Sequence, residues 1–279
     1  ELAFVLKRLA CGETTAMEGL WRHIPVSSLL LEDRGFFSYK QWKRALSENV
    51  AVLARVKSGL ILKPIRNLDD GSYLAKIYPS WYDRKKDRRG IVVRVIRYKL
   101  DDPQRVGHEE EHVLMTTLLD DELYPASELI LLYHERWEEE LAIDELKTHQ
   151  RERPVLRSQT PAGVVQEIYG LLIAHYLLRV LMQQAAAEQG VHPQRISFTG
   201  TLKILRCRLP ECPSSQRGCR QWYRQLIAEI GEELLPPRRN RINPRVIKKK
   251  MSNWEKKKPE HRPYPQPEKE FRDAVVILH

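Results

Sequence analysis

The sequence is poor in cysteine, which argues against two classes of protein. Only four of its 279 residues are cysteine, and Cys207, Cys212 and Cys219 follow the pattern C-x4-C-x6-C. Zinc sites do not ordinarily use this spacing, and no histidine pair lies close to it in the sequence. We therefore expect reduced thiols rather than a disulfide-stapled or zinc-binding module.

Long apolar segments are also missing. The longest candidate, Val164–Leu181, is interrupted by Gln166, Glu167, His175 and Arg179. It is therefore predicted to be a core helix rather than the span of about 20 apolar residues that a bilayer requires. The first residues, ELAFVLKRLACGE, contain neither a long apolar stretch nor a start methionine, so no signal peptide is predicted. The missing methionine indicates a fragment of a longer protein.

Acidic residues are outnumbered by basic ones. The chain has 47 Lys and Arg against 37 Asp and Glu, which gives a formal net charge of +10 and a sequence pI of about 9.4. This balance favours a polyanionic partner, either nucleic acid or an anionic membrane surface. A hydrophobic fraction of 42% is enough for one large domain or two smaller ones with cores of their own.

The first part of the chain has the pattern of a layered α/β domain. The apolar run Val26–Leu31 predicts a buried strand, and Asp33 follows directly after it. Ser38 is a suitable N-cap for a helix ending near Glu48, and Val50–Val56 predicts a second buried strand. An acid at the carboxyl end of a buried strand lies where α/β sheets place their sites.

A second group of predicted strands follows, with the alternation typical of an antiparallel region. The dipeptide Asp70–Gly71 predicts a hairpin turn. The basic loop Asp83–Gly90 is either a solvated tip or a DNA contact, and Trp81 beside it either packs on the hairpin or stacks on a base. The predicted strands are Ile61–Leu68, Tyr73–Tyr78, Ile91–Leu100 and His112–Leu118.

One helix, predicted from Leu129 to about His149, carries the pattern Y-x2-R-x3-E-x6-K. At about 100° per residue its four polar side chains fall within roughly 60° of one another. A carboxylate gathered with two bases and a phenol suits a metal and phosphate site, whereas the ordinary alternative is a surface ion pair at i,i+4 spacing. The four polar residues are Tyr133, Arg136, Glu140 and Lys147, and the predicted buried stripe is Leu132, Ala142, Ile143 and Leu146.

Helices dominate the remainder of the chain until a basic tail begins. The tail from Pro236 contains two lysine triplets with Trp254 and Tyr264. It is expected to be extended, and it suits either a phosphate backbone or a solubilising role. Ala274–Leu278 is predicted to be a strand that docks back on the domain. The predicted helices are Ala162–Glu188, ended by Gly190, then Ser197–Arg208 and Cys219–Leu235.

The four-residue pattern, together with the acid motif LLLEDRGFFSY around Asp33, resembles the DDE transposases of the insertion-sequence-four family. The segments ARVKSGLILKP, LDDGSYLAKIYPS and NPRVIKKKMSNW also resemble one bacterial subgroup of that family. The resemblance implies an α/β fold with an RNase H-like mixed sheet, flanking helices, missing N-terminal strands and an inserted antiparallel β region. The implied regions are residues 1–57 (core, first part), 58–120 (β insertion), 121–210 (helical second part of the core) and 211–279 (C-terminal helix and basic tail).

The resemblance also implies metal-dependent DNA strand cleavage and strand transfer at insertion-sequence ends. Asp33 and Glu140 would be the catalytic ligands of Mg²⁺ or Mn²⁺, since hard cations prefer carboxylate oxygens. Tyr133, Arg136 and Lys147 would contact DNA phosphates. Trp137 would stack on an extruded base, or would simply pack.

The implied partners are double-stranded transposon ends and target DNA, with a homodimer in the synaptic complex and no membrane. The implied location is the bacterial cytoplasm, in association with the nucleoid.

The sequence departs from the family pattern at the first catalytic aspartate. Before Asp33 the acids are Glu1, Glu13, Glu18 and Glu32, and none stands in an apolar strand of the expected kind. The chain alone is therefore expected to be an inactive part of a DDE-type transposase. The alternative is a truncated, catalytically inactive remnant that only binds DNA.

Overall fold

The fold is taken from a computed structural model that describes residues 12–57, 59–105, 108, 110–151, 155–235 and 267–278. These residues form two compact units. Residues 12–136 with 267–278 make up the first unit, and residues 137–235 make up the second.

The first unit is built on a seven-stranded sheet, which confirms the expected mixed α/β class. Its first two strands are parallel, with Leu29 opposite Ala51, and all other pairs are antiparallel. The order is β1-β2-β6-β5-β4-β3, and β7 pairs with β5. The strands are β1 (Leu29–Glu32), β2 (Ala51–Arg55), β3 (Arg66–Asn67), β4 (Tyr73–Ile77), β5 (Ile91–Leu100), β6 (His112–Thr116) and β7 (Val275–Ile277).

The antiparallel strands continue the same sheet rather than forming a second one, because β6 pairs with β2 at Leu53 and Thr116. The predicted turn is confirmed: Gly71 has φ of 85°, and the Leu68 N–H donates to the Ser72 carbonyl over 2.9 Å. The predicted strand over 61–68 shrinks to β3. Pro64 lies just before it, and proline has no N–H to donate to a ladder.

Both faces of the sheet are covered, and the side chains of β2 alternate between them, as the two-residue period of a strand requires. Val52 and Ala54 face a core that contains Trp42, whereas Leu53 faces a core that contains Ile130. The helical segments on the first face are α1 (Glu13–Met17), a 3-10 turn (Trp21–His23) and α2 (Tyr39–Ser47), and that on the second face is α4 (Ala126–His134). A short helix, α3 (Trp81–Lys85), opens the basic loop.

A buried arginine fixes the entry into α4. Arg94 is fully buried and donates to Ser72 Oγ over 2.7 Å, to the Tyr124 carbonyl over 2.6 Å and to the carboxylate of Asp70. Asp70 in turn accepts a 2.8 Å hydrogen bond from the Ala126 backbone N–H. The first turn of α4 is thereby tied to β5 and to the β3–β4 turn.

The C-terminal segment docks on the sheet, as predicted from its AVVIL sequence. β7 pairs with β5, with Ile277 opposite Tyr98. The buried carboxylate of Asp102 accepts hydrogen bonds from the backbone N–H groups of residues 268 and 269, at 3.0 and 3.3 Å. The short helix α9 (Phe271–Ala274) adds a stacked contact between Phe271 and His134, with ring centroids 3.7 Å apart.

The second unit is helical, and its elements largely match the predicted helices. Gly190, with φ of 63°, ends the longest helix as expected. The core of the unit includes Leu178, Met182, Leu226 and Ile230. The elements are α5 (Trp137–Asp144), a π-turn (Glu145–Gln150), α6 (Pro161–Gln189), α7 (Phe198–Arg208) and α8 (Gln216–Glu232), with 3-10 turns at Pro193–Arg195 and Leu209–Glu211.

By length and composition, α6 is apolar enough to cross a membrane, whereas the polar residues within its sequence predict a core helix. Only 11% of its most apolar window is buried. Along the same helix, however, His175 and Arg179 contact the carboxylate of Glu145, and Leu178 and Met182 lie in the core. The expectation of no membrane therefore stays a prediction.

The prediction of one continuous helix from Leu129 to His149 was wrong. α4 ends at His134, residues 135 and 136 form a turn, and α5 then runs into the π-turn. The predicted buried stripe was also wrong. The break resets the angular phase of its members after residue 136, whereas Leu132 lies before the break, on the exposed side of α4. Leu132 and Ile143 are 36% and 39% exposed, whereas Ile130 is fully buried.

Two further expectations concern cysteines and the tail. Cys207, Cys212 and Cys219 are exposed and unpaired, and the expectation of reduced thiols stays a prediction. The lysine triplets, Trp254 and Tyr264 lie outside the described residues, so the expectation of a DNA-binding tail stays a prediction.

Candidate active site

Asp33 lies at the carboxyl end of β1, where the sequence predicted an acid. The strand ends at Glu32, and the exposed Asp33 begins a turn in which its carbonyl accepts from the Phe36 N–H over 2.9 Å. Its Oδ1 accepts from the Arg34 backbone N–H over 2.8 Å. These contacts hold the carboxylate at the surface, next to the end of the parallel pair β1–β2.

Tyr133 of α4 is anchored to the same strand end. Its side chain is 8% exposed, and its hydroxyl donates to the Glu32 carbonyl over 3.2 Å. Burial raises the pKa of Tyr133; the positive charge of Arg136 opposes this effect and the negative charge of Asp33 adds to it. The guanidinium carbon of Arg136 lies 5.7 Å from the centre of the tyrosine ring. Asp33, Tyr133 and Arg136 are therefore brought together within the first unit.

Glu32, which the sequence analysis did not single out, is a buried acid beside this group. It is 3% exposed; its Oε2 accepts from the Trp42 indole N–H over 3.1 Å, and its Oε1 has no partner among the described residues. Burial raises the pKa of Glu32 to about 7. The sequence did carry a signal, because Glu32 stands two residues after Leu30 and a strand places both on one face.

A second buried phenol lies close to the first. Tyr98 of β5 is 6% exposed, and burial raises its pKa to about 12, with a smaller raising effect from Tyr133 and a lowering one from Arg55. The ring of His112 stacks on it, with centroids 5.0 Å apart. Both rings are buried, His112 being 7% exposed, which periodicity alone did not indicate.

The remaining members of the four-residue pattern belong to the second unit. Trp137 begins α5, and its side chain lies outside the described part of the structure. Glu140 is half-buried in the first turn of α5, and Lys147 is exposed in the π-turn. The structure thus brings together three of the predicted site residues in the first unit and holds Glu140 and Lys147 in the second.

The basic loop presents aromatic and cationic groups to solvent. Trp81 is 71% exposed, so it does not pack on the hairpin; the ammonium of Lys85 lies 5.5 Å from its ring centre. The two acids of the loop are already paired: Asp83 with Arg89 over 2.9 Å, and Asp87 with Lys76 over 2.7 Å. The outward surface of α3 is therefore positive.

The available donors suit a hard divalent cation, since Asp33 and Glu140 offer carboxylate oxygens. Within the described residues, no cluster of three or more His, Cys, Asp or Glu side chains could hold a metal ion.

Comparisons with known proteins identify the family. The family model described as "Transposase DDE domain" matches residues 10–177, which include Asp33, Glu140 and Lys147. The chain is 31% identical over 246 residues to a protein of Escherichia coli (strain K12) named "Transposase InsG for insertion sequence element IS4"; the match covers 86% of this chain and 54% of that protein. The chain spans about half the length of this relative. With an RNase H-like mixed α/β sheet and these matches, the chain belongs to the DDE transposases of the insertion-sequence-four family.

Proposed function

We propose that the protein cleaves DNA at the ends of an insertion sequence and transfers the cut strands to a target, with Mg²⁺ or Mn²⁺. The observation that carries this proposal is the group formed by Asp33, Tyr133 and Arg136 at the end of β1. It lies within the matched transposase segment. The family match extends the proposal to Glu140 and Lys147.

In this proposal Asp33 and Glu140 are the metal ligands supplied by the chain. A bound divalent cation would stabilise negative charge on the phosphate and its leaving oxygen. Arg136 would hold a phosphate through two parallel N–H donors, whereas Lys147 would act as a mobile point charge. Trp137 would stack on an extruded base.

Tyr133 has two proposed roles. Its hydroxyl holds the strand end that precedes Asp33, so we assign it first to positioning that carboxylate. A hydroxyl can accept as well as donate, so a contact with DNA remains compatible with this hydrogen bond. Its predicted phosphate contact stays a prediction.

The proposed reaction needs no covalent enzyme intermediate. In cleavage, a water oxygen bonds to the phosphorus while the bond to the 3′ oxygen breaks, leaving a 3′-hydroxyl and a 5′-phosphate. In transfer, that 3′-hydroxyl oxygen attacks a target phosphodiester in the same way, and the target 3′ oxygen leaves. Both steps are substitutions at phosphorus that require positioned phosphates and charge stabilisation.

The test is Mg²⁺-dependent nicking of a duplex carrying the insertion-sequence end by the full-length protein. We expect Asp33→Ala and Glu140→Ala to lower the nicking rate by at least about 100-fold, as loss of a charge-stabilising group typically does. Glu139→Ala is the matched control, because it removes a neighbouring exposed acid of the same helix. Nicking that survives both site substitutions would overturn the assignment.

A second candidate is DNA binding without cleavage. It is favoured by the net charge of +10 and by the positive surface of α3. It predicts that the chain binds duplex DNA with an affinity that falls steeply between about 50 and 200 mM salt. Affinity that ignores salt would exclude this candidate, and metal-dependent nicking would show that binding is not the whole function.

We also propose, from the family alone, a homodimer in the synaptic complex and a bacterial cytoplasmic location in association with the nucleoid. We propose no membrane partner, because α6 bears His175 and Arg179 in contact with Glu145.

A further inference from the structure

The π-turn that carries Lys147 is attached to α6 through its first residue. Glu145 Oε2 lies 2.9 Å from His175 Nε2 and accepts a hydrogen bond from Arg179 Nη2 over 2.6 Å. His175 and Arg179 are four residues apart, so both project from the same side of α6. One carboxylate oxygen therefore joins the turn to two successive turns of the long helix.

The last residue of the same π-turn also contacts neighbouring helices. Gln150 is buried, and its side-chain amide donates to the Leu171 carbonyl of α6 over 2.8 Å. The backbone carbonyl of Gln150 accepts a hydrogen bond from the Arg206 guanidinium of α7 over 3.3 Å. Both ends of the turn are thus attached to helices of the second unit.

Three successive residues between Glu145 and Gln150 are directed to solvent. Lys147, Thr148 and His149 are all exposed. Thr148 donates to Asp144 over 2.6 Å, and His149 lies 3.6 Å from the same carboxylate. No hydrogen bond or ion pair of Lys147 is found within the described ranges, so its ammonium is available to an external anion.

The contacts of Glu145 with His175 and Arg179 are partly buried, which strengthens them. The side chains of Glu145 and His175 are 14% and 10% exposed. The ring of Phe198 from α7 lies 5.4 Å from the His175 ring and 5.9 Å from the Arg179 guanidinium carbon. Charged hydrogen bonds weaken less where water and salt are partly excluded.

A π-turn is rare and has a wider turn than an α-helix, and such turns occur frequently at functional sites. Here it changes the direction of Lys147 relative to α5, because its residues no longer follow α-helical spacing. None of Glu145, His175 and Arg179 belongs to the family pattern identified in the sequence. Their contacts nevertheless attach to α6 the turn that carries Lys147, a residue that does belong to it.

We propose that Glu145 is a positioning residue that, through His175 and Arg179, fixes the π-turn and so directs the Lys147 ammonium towards a DNA phosphate. The contact between Lys147 and a phosphate rests on the proposed function. The contacts of Glu145 with His175 and Arg179 do not depend on that function, so the two parts can be tested separately.

The role of Glu145 in fixing the π-turn is tested by amide hydrogen exchange on the chain in the absence of DNA. Glu145→Gln keeps the shape of the side chain and removes its charge. We expect exchange across Glu145–Gln150 to accelerate at least about tenfold, with α8 unchanged. The matched control is Glu139→Gln, which should leave these amides as they are. Unchanged exchange in Glu145→Gln would overturn the proposal that Glu145 fixes the π-turn.

The consequence for Lys147 is tested by a double-mutant cycle in duplex DNA binding. Lys147→Ala should weaken binding several-fold and reduce the salt slope by about one. In a Glu145→Gln background the same change should have little further effect. Equal, additive losses would show a merely structural role for Glu145 and overturn the positioning. No effect of Lys147→Ala in the unsubstituted chain would instead overturn the phosphate contact.

Rescue by exchanging the charges keeps the inference falsifiable if single variants are unstable. The double substitution Glu145→Arg with Arg179→Glu places the acid on α6, still within reach of His175 at i,i+4 spacing. We expect it to restore both the slow exchange of the turn and most of the DNA affinity. Failure to restore either, in a variant with an unchanged melting temperature, would count against the proposal.

Discussion

The hydroxyl of Tyr133 donates a hydrogen bond to the backbone carbonyl of Glu32, a residue 101 positions earlier in the chain, over 3.2 Å. This contact ties the end of α4 to the end of β1, one residue before Asp33. Because backbone atoms cannot be moved without moving the next residue, the tyrosine constrains the position of the Asp33 carboxylate. A buried side chain of the family pattern thereby acts on a proposed metal ligand.

The first prediction concerns this hydrogen bond. Tyr133→Phe should lower the free energy of unfolding by about 1 kcal/mol, the usual net value of one hydrogen bond. It should also slow DNA nicking by the full-length protein beyond what the stability loss explains, because the Asp33 position loosens. Urea denaturation and nicking rates under native conditions are the measurements.

The matched control for this prediction is Tyr73→Phe. The Tyr73 hydroxyl also donates to a backbone carbonyl, that of Leu62, over 3.3 Å, but in the hairpin region. It should show a comparable loss of stability with an unchanged nicking rate. Equal nicking by the two variants would contradict a positioning role for Tyr133.

The second prediction is a pH dependence caused by Glu32. Burial raises its pKa from the model-compound 4.5 to about 7, so the folded state holds a proton that the unfolded chain releases at lower pH. Below about pH 4.5 the group is protonated in both states and has no effect. Between about 4.5 and 7 it should reduce the free energy of unfolding by about 1.4 kcal/mol per pH unit, and above 7 the penalty is constant.

Glu32→Gln isolates this effect. Denaturation in the presence of a chelator should show the difference between Glu32→Gln and the unsubstituted chain moving in favour of the variant from pH 4.5 to 7. The difference should then level off. Two stability curves that stay parallel across this range would show that Glu32 ionises normally.

The third prediction concerns the buried arginine that organises the entry into α4. Asp70→Ala removes the carboxylate that binds both Arg94 and the Ala126 N–H, leaving a buried charge without its counter-ion. The expected loss is about 3–5 kcal/mol in the free energy of unfolding. Glu111→Ala is the control, because it breaks the more exposed pair with Arg97 on the same strand and should cost less than about 1 kcal/mol. Similar losses in the free energy of unfolding for the two variants would contradict a special role for Asp70 in neutralising the buried Arg94.

Much of the sheet could be predicted because its signals are local. The β5 run Ile91–Leu100 has the predicted limits, and the acid after β1 follows from an apolar run that stops at Glu32. The docking of β7 also followed from its apolar sequence. In each case a local run of apolar residues and the position of the polar residues beside it were sufficient evidence.

The phase of the four-residue pattern could not be predicted from spacing, because contacts distant in sequence determine it. The turn at Glu135–Arg136 ends α4, and the π-turn is accompanied by contacts of Glu145 with His175 and Arg179, which lie 30 and 34 residues later in the chain. An angle computed for an ideal helix describes neither feature. The pattern identified the family, whereas tertiary contacts determined where its side chains lie.

The last prediction tests whether the exposed Trp81 stacks on DNA bases. Because its side chain is 71% exposed, Trp81→Ala should leave the melting temperature unchanged. If it stacks on one base, the substitution should weaken binding to DNA with unpaired bases by about 5- to 150-fold, corresponding to 1–3 kcal/mol per stacked base. Binding to a fully paired duplex should change much less, because its bases are not available, and Trp81→Phe should recover most of the loss. Equal losses on both DNAs would assign the α3 surface to backbone contact through Lys85 and its neighbours instead.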